Sequence, residues 1–126
     1  DVCSSDLAPL QLAVAVGINE LPAEFYRDLA RSYQVKRDRF CGALANAGLR
    51  PSIPDGAYYV LADVSALPGS TGKARALYLL DKTGVAGVPG EAFFSGPTGS
   101  GFVRFSYAKT DQDLDLACRN IQRLNQ

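Results

Sequence analysis

Gly101-Phe102-Val103-Arg104-Phe105-Ser106-Tyr107-Ala108-Lys109 is a run of branched and aromatic residues that holds one guanidinium. It reads as a strand. Side chains alternate across a strand, so Val103, Phe105 and Tyr107 share one face, and Phe102, Arg104, Ser106 and Ala108 the other. The first set is expected in the core. The second surrounds a planar, always-charged fork with small and aromatic groups, a setting in which a carboxylate can be held through two parallel hydrogen bonds. An arginine in a strand also serves as a solvated or salt-bridged side chain, and this run alone leaves both uses open.

On the carboxy-terminal side, Thr110 caps a helix with Asp111 and Asp113 in its first turn, and Leu114, Ala117, Ile121 and Leu124 give it one apolar edge. On the amino-terminal side, Ser95 to Gly101 is a loop and Val85 to Val88 a short strand that breaks at Pro89-Gly90. Lys73 to Thr83 reads as a helix with Leu77 and Leu80 inward, stopped by Gly84. Ala57 to Val64 is a strand, and Pro51 to Pro54 a turn-rich link. A long helix opens at Pro22 and ends near Ala47, with Glu24 in its first turn and Gly48 as its left-handed stop. Phe25, Leu29, Tyr33, Phe40 and Leu44 form its apolar stripe, Lys36 interrupts the stripe by snorkelling, and Lys36-Arg37-Asp38-Arg39 reads as a solvated face. Ala8 to Gly17 is apolar nearly all round and reads as a helix that needs cover on more than one side. Asp1 to Leu7 is read as a non-native leader. The architecture predicted is α+β, a small, mostly antiparallel sheet of about three strands covered by helices, in the order α-β-α-β-β-α.

The 126 residues fit one domain, and 47% hydrophobic content supports a core. Thirteen basic residues balance 13 acidic ones, which gives no electrostatic case for nucleic acid or an anionic membrane. Cys3, Cys41 and Cys118 are odd in number and scattered, against a disulfide framework or a metal site. Histidine is absent, which excludes a Ser-His-Asp or Cys-His nucleophile within the chain. Methionine is absent too, so the chain is expected to be a fragment, a processed product or an engineered piece.

Several motifs dissolve on inspection. Gly69-Ser70-Thr71-Gly72-Lys73-Ala74 lacks the glycine spacing and the hydroxyl of a phosphate loop and reads as the start of a helix. Gly84, Gly87 and Gly90 suit turns and close backbone approach rather than a dinucleotide fingerprint. Asp111, Asp113 and Asp115 lack the register of an ion-binding loop. Tyr58 and Tyr59 either stack on a ligand or divide into one core residue and one half-exposed.

Taken in order, these pieces resemble a family. Pro54-Asp55-Gly56-Ala57-Tyr58-Tyr59-Val60-Leu61-Ala62-Asp63, then Gly84-Val85-Ala86-Gly87-Val88-Pro89-Gly90 with Phe93, then Gly101 to Ala108 around Arg104, are similar to the carboxy-terminal small domain of class I/II aminotransferases of the aspartate aminotransferase fold. Pro9-Leu10-Gln11-Leu12-Ala13 and Tyr33 with Lys36-Arg37-Asp38 fit the same pattern, and the Gly-Ala-Tyr-Tyr strand is nearest the kynurenine and methionine aminotransferase branch. The resemblance runs from about residue 8 to the end. It makes residues 8–21 a remnant of an interdomain segment and 22–126 the small domain.

The resemblance implies a cytoplasmic enzyme, as a whole protein a homodimer, that uses pyridoxal 5'-phosphate to move an amino group between an amino acid and a 2-oxo acid. It implies that Arg104 holds the substrate α-carboxylate. The lysine that carries the cofactor, the aspartate beneath its ring nitrogen and its phosphate-binding groups belong to a part upstream of this chain. None of Lys36, Lys73, Lys82 and Lys109 takes that role, so this chain alone is expected to be inactive, with no catalytic, cofactor-binding or metal-binding residue of its own. A different reading stands beside this one, a free-standing α+β module that binds an amino acid without chemistry.

Overall fold

The computed structural model describes residues 3–126; Asp1 and Val2, part of the expected leader, lie outside the described residues. The chain divides into two units, the first ending at Ser32 and the second running Tyr33–Gln126.

The first unit holds α1 (Cys3–Glu20) and the opening of α2 (Ala23–Asn46). α1 continues without a break from Cys3, earlier than the expected start at Ala8, and Pro9 falls inside it. Two backbone bonds turn the chain into α2, from Leu21 N–H to Gly17 C=O at 3.1 Å and from Phe25 N–H to Pro22 C=O at 3.0 Å. The Tyr26 hydroxyl donates to the Gly17 carbonyl at 3.0 Å. Leu10, Leu12, Val14 and Ile18 of α1 are exposed, as the all-round apolar pattern foretold for a helix lacking cover. Phe25 and Leu29 of α2 are exposed as well, so the buried stripe of that helix begins only in its second half, at Phe40, Cys41 and Leu44.

The second unit is built on an antiparallel sheet in the order β1-β2-β4-β3, with β1 at Arg50–Ser52, β2 at Tyr59–Asp63, β3 at Val88–Pro89 and β4 at Phe102–Ser106. The α+β reading holds, with four strands where about three were expected. The extra strand is β1, read in the sequence as a link because of its proline. An edge position tolerates Pro51, since an edge needs N–H donors on one side only. Its register with β2 places Arg50 opposite Asp63, and the two side chains form an ion pair at 2.6 Å.

α3 (Gly72–Thr83) and α4 (Asp111–Ile121) complete the unit. The core is contiguous. Val60, Ala62, Val103, Phe105 and Tyr107 of the sheet region meet Phe40 and Leu44 of α2, Leu79 of α3, and Leu114 and Ile121 of α4. Tyr107 keeps its hydroxyl satisfied by donating to the Ala57 carbonyl at 2.7 Å. On α3 the inward face differs from the one expected. Leu77 and Leu80 are exposed, and Ala76, Leu79 and Thr83 are buried. Thr83 solves its own burial by donating from Oγ1 to the Leu79 carbonyl at 2.6 Å.

The charge run of α2 is also not a solvated face. Lys36 Nζ donates to the Lys109 carbonyl at 2.7 Å and Arg37 to the Pro54 carbonyl at 3.0 Å. Arg39 spans Asp111 and Asp115 of α4 at 2.6 and 2.7 Å. These partners are distant in sequence, so the run alone gave no sign of them.

Candidate functional site

β4 alternates as its sequence requires. Val103 and Phe105 are buried in the core, and Arg104 lies half-buried on the opposite face. The register sets Arg104 across from Leu61 and places Tyr59 opposite Ser106, one same-face step away. On its other side β3 pairs Val88 with Arg104. Arg104 is thus carried by the strand with neighbours on both sides, a rigid mount.

Its guanidinium carbon lies over two aromatic rings, 4.2 Å from the centroid of Phe93 and 5.1 Å from that of Tyr59. Among the described residues no carboxylate lies within ion-pair distance of it, whereas Arg37, Arg39 and Arg50 are each bound to aspartates. Aromatic faces attract the cation through the ring quadrupole and leave the in-plane N–H groups unspent. Further aromatic surface adjoins, with Phe94 6.1 Å from Phe102 and Tyr58 edge-on to Tyr59 at 5.3 Å.

Tyr58 is exposed and Tyr59 partly buried, so neither enters the core as one of the sequence readings supposed. Tyr59 instead backs the arginine. Phe93 was legible only as a member of the Pro89-Gly90 pattern; its place over Arg104 comes from the turn Gly90–Ala92.

A cleft of about 510 Å³ opens where the β3 pairing ends. Arg104, Ser106, Lys109 and Asp113 supply its polar wall, and Val85, Val88, Leu114 and Leu116 its apolar one. Lys109 is exposed at the rim, with its carbonyl taken by Lys36.

Residues 1–121 match the family model for aminotransferases of class I and II. The chain belongs to that family. It is 32% identical, over 92% of its own length and 31% of the relative's, to a kynurenine–oxoglutarate transaminase of Dictyostelium discoideum. An N-succinyldiaminopimelate aminotransferase from Mycobacterium tuberculosis superposes with a TM-score of 0.80 at 30% identity, over 93% of this chain and 30% of that one. A protein of Escherichia coli with a methionine aminotransferase function gives 0.77 at 30% identity, over 91% and 30%. The chain therefore spans less than a third of the aminotransferases it matches.

The family is pyridoxal phosphate-dependent in general, and the residues present do not by themselves fit that cofactor. A phosphate needs free N–H groups, most often at a helix N-terminus. At α3 and α4 protein groups already accept from some of them, and acidic side chains, Glu91 at α3 and Asp111 and Asp113 at α4, stand where a phosphate would. Glu91 Oε1 accepts from Gly72 N–H at 2.5 Å and Thr71 Oγ1 from Ala74 N–H at 3.1 Å. Thr110 Oγ1 accepts from Asp113 N–H at 3.2 Å. Lys36 is bound to a carbonyl, and Lys73, Lys82 and Lys109 are exposed. Among the described residues no group of three or more metal-ligating side chains gathers, and no helix is long and apolar enough to cross a membrane.

Proposed function

We propose that this chain is the substrate-gripping portion of an aminotransferase that exchanges an amino group between an amino acid and a 2-oxo acid. Arg104 binds the α-carboxylate, and the cofactor and the lysine that carries it belong to a part of the protein outside this chain. The observation that supports this reading is a guanidinium that, among the described residues, has no carboxylate partner and is backed by Phe93 and Tyr59. A charge left without a protein partner in a half-apolar setting is costly unless a ligand answers it.

The amino acid and the oxo acid share one feature, a carboxylate on the carbon next to the reacting bond. One arginine therefore serves both halves of the exchange. A bidentate grip fixes the plane of the carboxylate and with it the direction of the Cα substituents. That is a positioning role, and no proton passes through Arg104.

In the full-length enzyme, Arg104→Ala removes two charge-assisted hydrogen bonds worth roughly 3 kcal/mol together. The expected fall in kcat/KM is about 100-fold, for the amino acid and for the oxo acid alike. Unchanged kinetics for both substrates would take Arg104 out of the site. The 126-residue chain mixed with pyridoxal phosphate is expected to show no saturable protein-linked visible band. A stoichiometric band lost in Lys109→Ala would move the cofactor onto this chain and defeat the division of labour.

A further inference from the structure

Phe93 does more than add apolar surface beside Arg104. The turn that carries it is fixed from three directions. Phe93 N–H and Phe94 N–H both donate to the Gly90 carbonyl, at 2.9 and 3.1 Å. The Glu91 carboxylate is tied to the first N–H of α3. The backbones of Gly90 and Gly99 cross so closely that a Cβ on either would collide with the other. Pro89, one residue earlier, is locked opposite Val103. Both strand and turn are thus set before any ligand arrives, which fixes where the Phe93 side chain leaves the backbone; the residue is 43% exposed, and its ring lies against the Arg104 guanidinium.

A free arginine side chain carries roughly 2 kcal/mol of rotamer entropy, and a ligand that must order it loses that much affinity. We infer that Phe93 is a positioning residue for Arg104: its ring, carried on a turn whose backbone is clamped by Gly90, Glu91 and Gly99, holds the plane of the guanidinium so that the N–H edge meets a carboxylate without reordering. Tyr59 limits the guanidinium from β2 in the same way. The inference rests on the carboxylate-binding reading of Arg104 and deepens it. It also gives Glu91 a purpose, since that residue touches α3 rather than Arg104 yet governs where the ring stands.

The test is a titration of the 126-residue chain, labelled with ¹⁵N-arginine, with pyruvate. The Arg104 Nε–H resonance is assigned by its loss in Arg104→Lys. The wild-type chain is expected to show a saturable shift of that resonance, and the Arg104 Cδ protons an upfield ring-current displacement. In Phe93→Leu the ring-current displacement falls to the smaller part that Tyr59 supplies and the apparent Kd rises about fivefold, the scale of a cation–π contact. Phe93→Tyr stays within twofold of wild type. Glu91→Ala, which leaves both rings in the sequence, weakens binding and diminishes the ring-current displacement together. Should Phe93→Leu lose the folded spectrum, Tyr59→Leu carries the same comparison for the second ring, with a weaker displacement and a higher Kd expected. A saturable wild-type titration matched by Phe93→Leu within twofold, or for an unfolded Phe93→Leu matched by Tyr59→Leu, overturns the positioning role alone. A wild-type chain whose Arg104 resonance does not respond overturns the inference that the guanidinium is set for a carboxylate by this chain alone, while the carboxylate reading itself stands or falls with the Arg104→Ala kinetics of the full-length enzyme.

Discussion

Arg104 differs from Arg37, Arg39 and Arg50 in what meets its guanidinium, two rings instead of a carboxylate. Charge alone would be satisfied by lysine at this position. Planarity would not, because an ammonium offers three divergent donors and no flat face to stack on Phe93. In the full-length enzyme Arg104→Lys is therefore expected to recover some of the activity lost in Arg104→Ala. It should still fall short of wild type by about tenfold in kcat/KM, one charge-assisted contact of roughly 1.5 kcal/mol. Steady-state kinetics with both substrates checks this, and a lysine variant equal to wild type would show that a point charge suffices. The face on which Arg104 stands was legible in the sequence because strand alternation separates it from Val103 and Phe105, whereas the choice of a carboxylate grip as its use came only from the family resemblance. Its ring partners were not. Phe93 reaches it through a loop whose path depends on the Gly90–Gly99 crossing, and a crossing of two backbones leaves no local pattern.

Elements were legible where a single residue decides them. Gly48 and Gly84 stop helices at φ 81° and 70°, in the left-handed region where a side chain is strained. Thr110 caps α4 as its spacing to Asp113 required, accepting from that residue's N–H and donating to its carboxylate at 2.8 Å. Thr110→Ala should cost about 1 kcal/mol, read as a lower urea midpoint at unchanged slope. Where partners lie far off in sequence, local reading failed. Of the three leucines of α3 only Leu79 is buried, because the face that meets the sheet is Ala76, Leu79 and Thr83, the set whose smaller members allow a close approach, and Leu77 and Leu80 fall outside it. The run from Lys36 to Arg39 looks like solvent-facing charge until Pro54, Lys109, Asp111 and Asp115 are brought to it. Within the turn that carries Phe93, Gly99→Ala is expected to push the Gly90 backbone away. The measurable result is a lower thermal midpoint with altered amide shifts at Glu91 and Phe93; unchanged shifts there would mean that the crossing is loose.

Across the whole molecule, titratable groups bound its stability on both sides of neutrality. Hydrogen bonds from Ser65, with Arg50 nearby, hold the Asp63 carboxyl below its usual value, and a hydrogen bond from Arg39 does the same for Asp111. A carboxyl depressed on folding stabilises above its unfolded value, about 3.9, and that contribution is lost as pH falls through the folded value. The alkaline side has the opposite sign. Burial pushes the Cys41 thiol up, and the Tyr107 phenol likewise. Each contributes stability that is complete below its unfolded value, about 8.5 for the thiol and about 10 for the phenol, and is lost as pH rises through the folded value. Chemical denaturation between pH 3 and pH 10 should thus give a plateau near neutrality with a fall at either end. Cys41 is 3% exposed, so Cys41→Ala leaves a small cavity and lowers the plateau, about 1 kcal/mol for one lost sulfur atom. The diagnostic is the slope, not the height. Cys41→Ala should flatten the fall between pH 8 and pH 9.5 while leaving the acid limb as steep as before. A slope unaltered in that window would clear the thiol. The first loss of stability would then belong to the Cys118 thiol, which burial raises in the same way, and that of Tyr107 must begin about 1.5 pH units higher, where its unfolded form ionises.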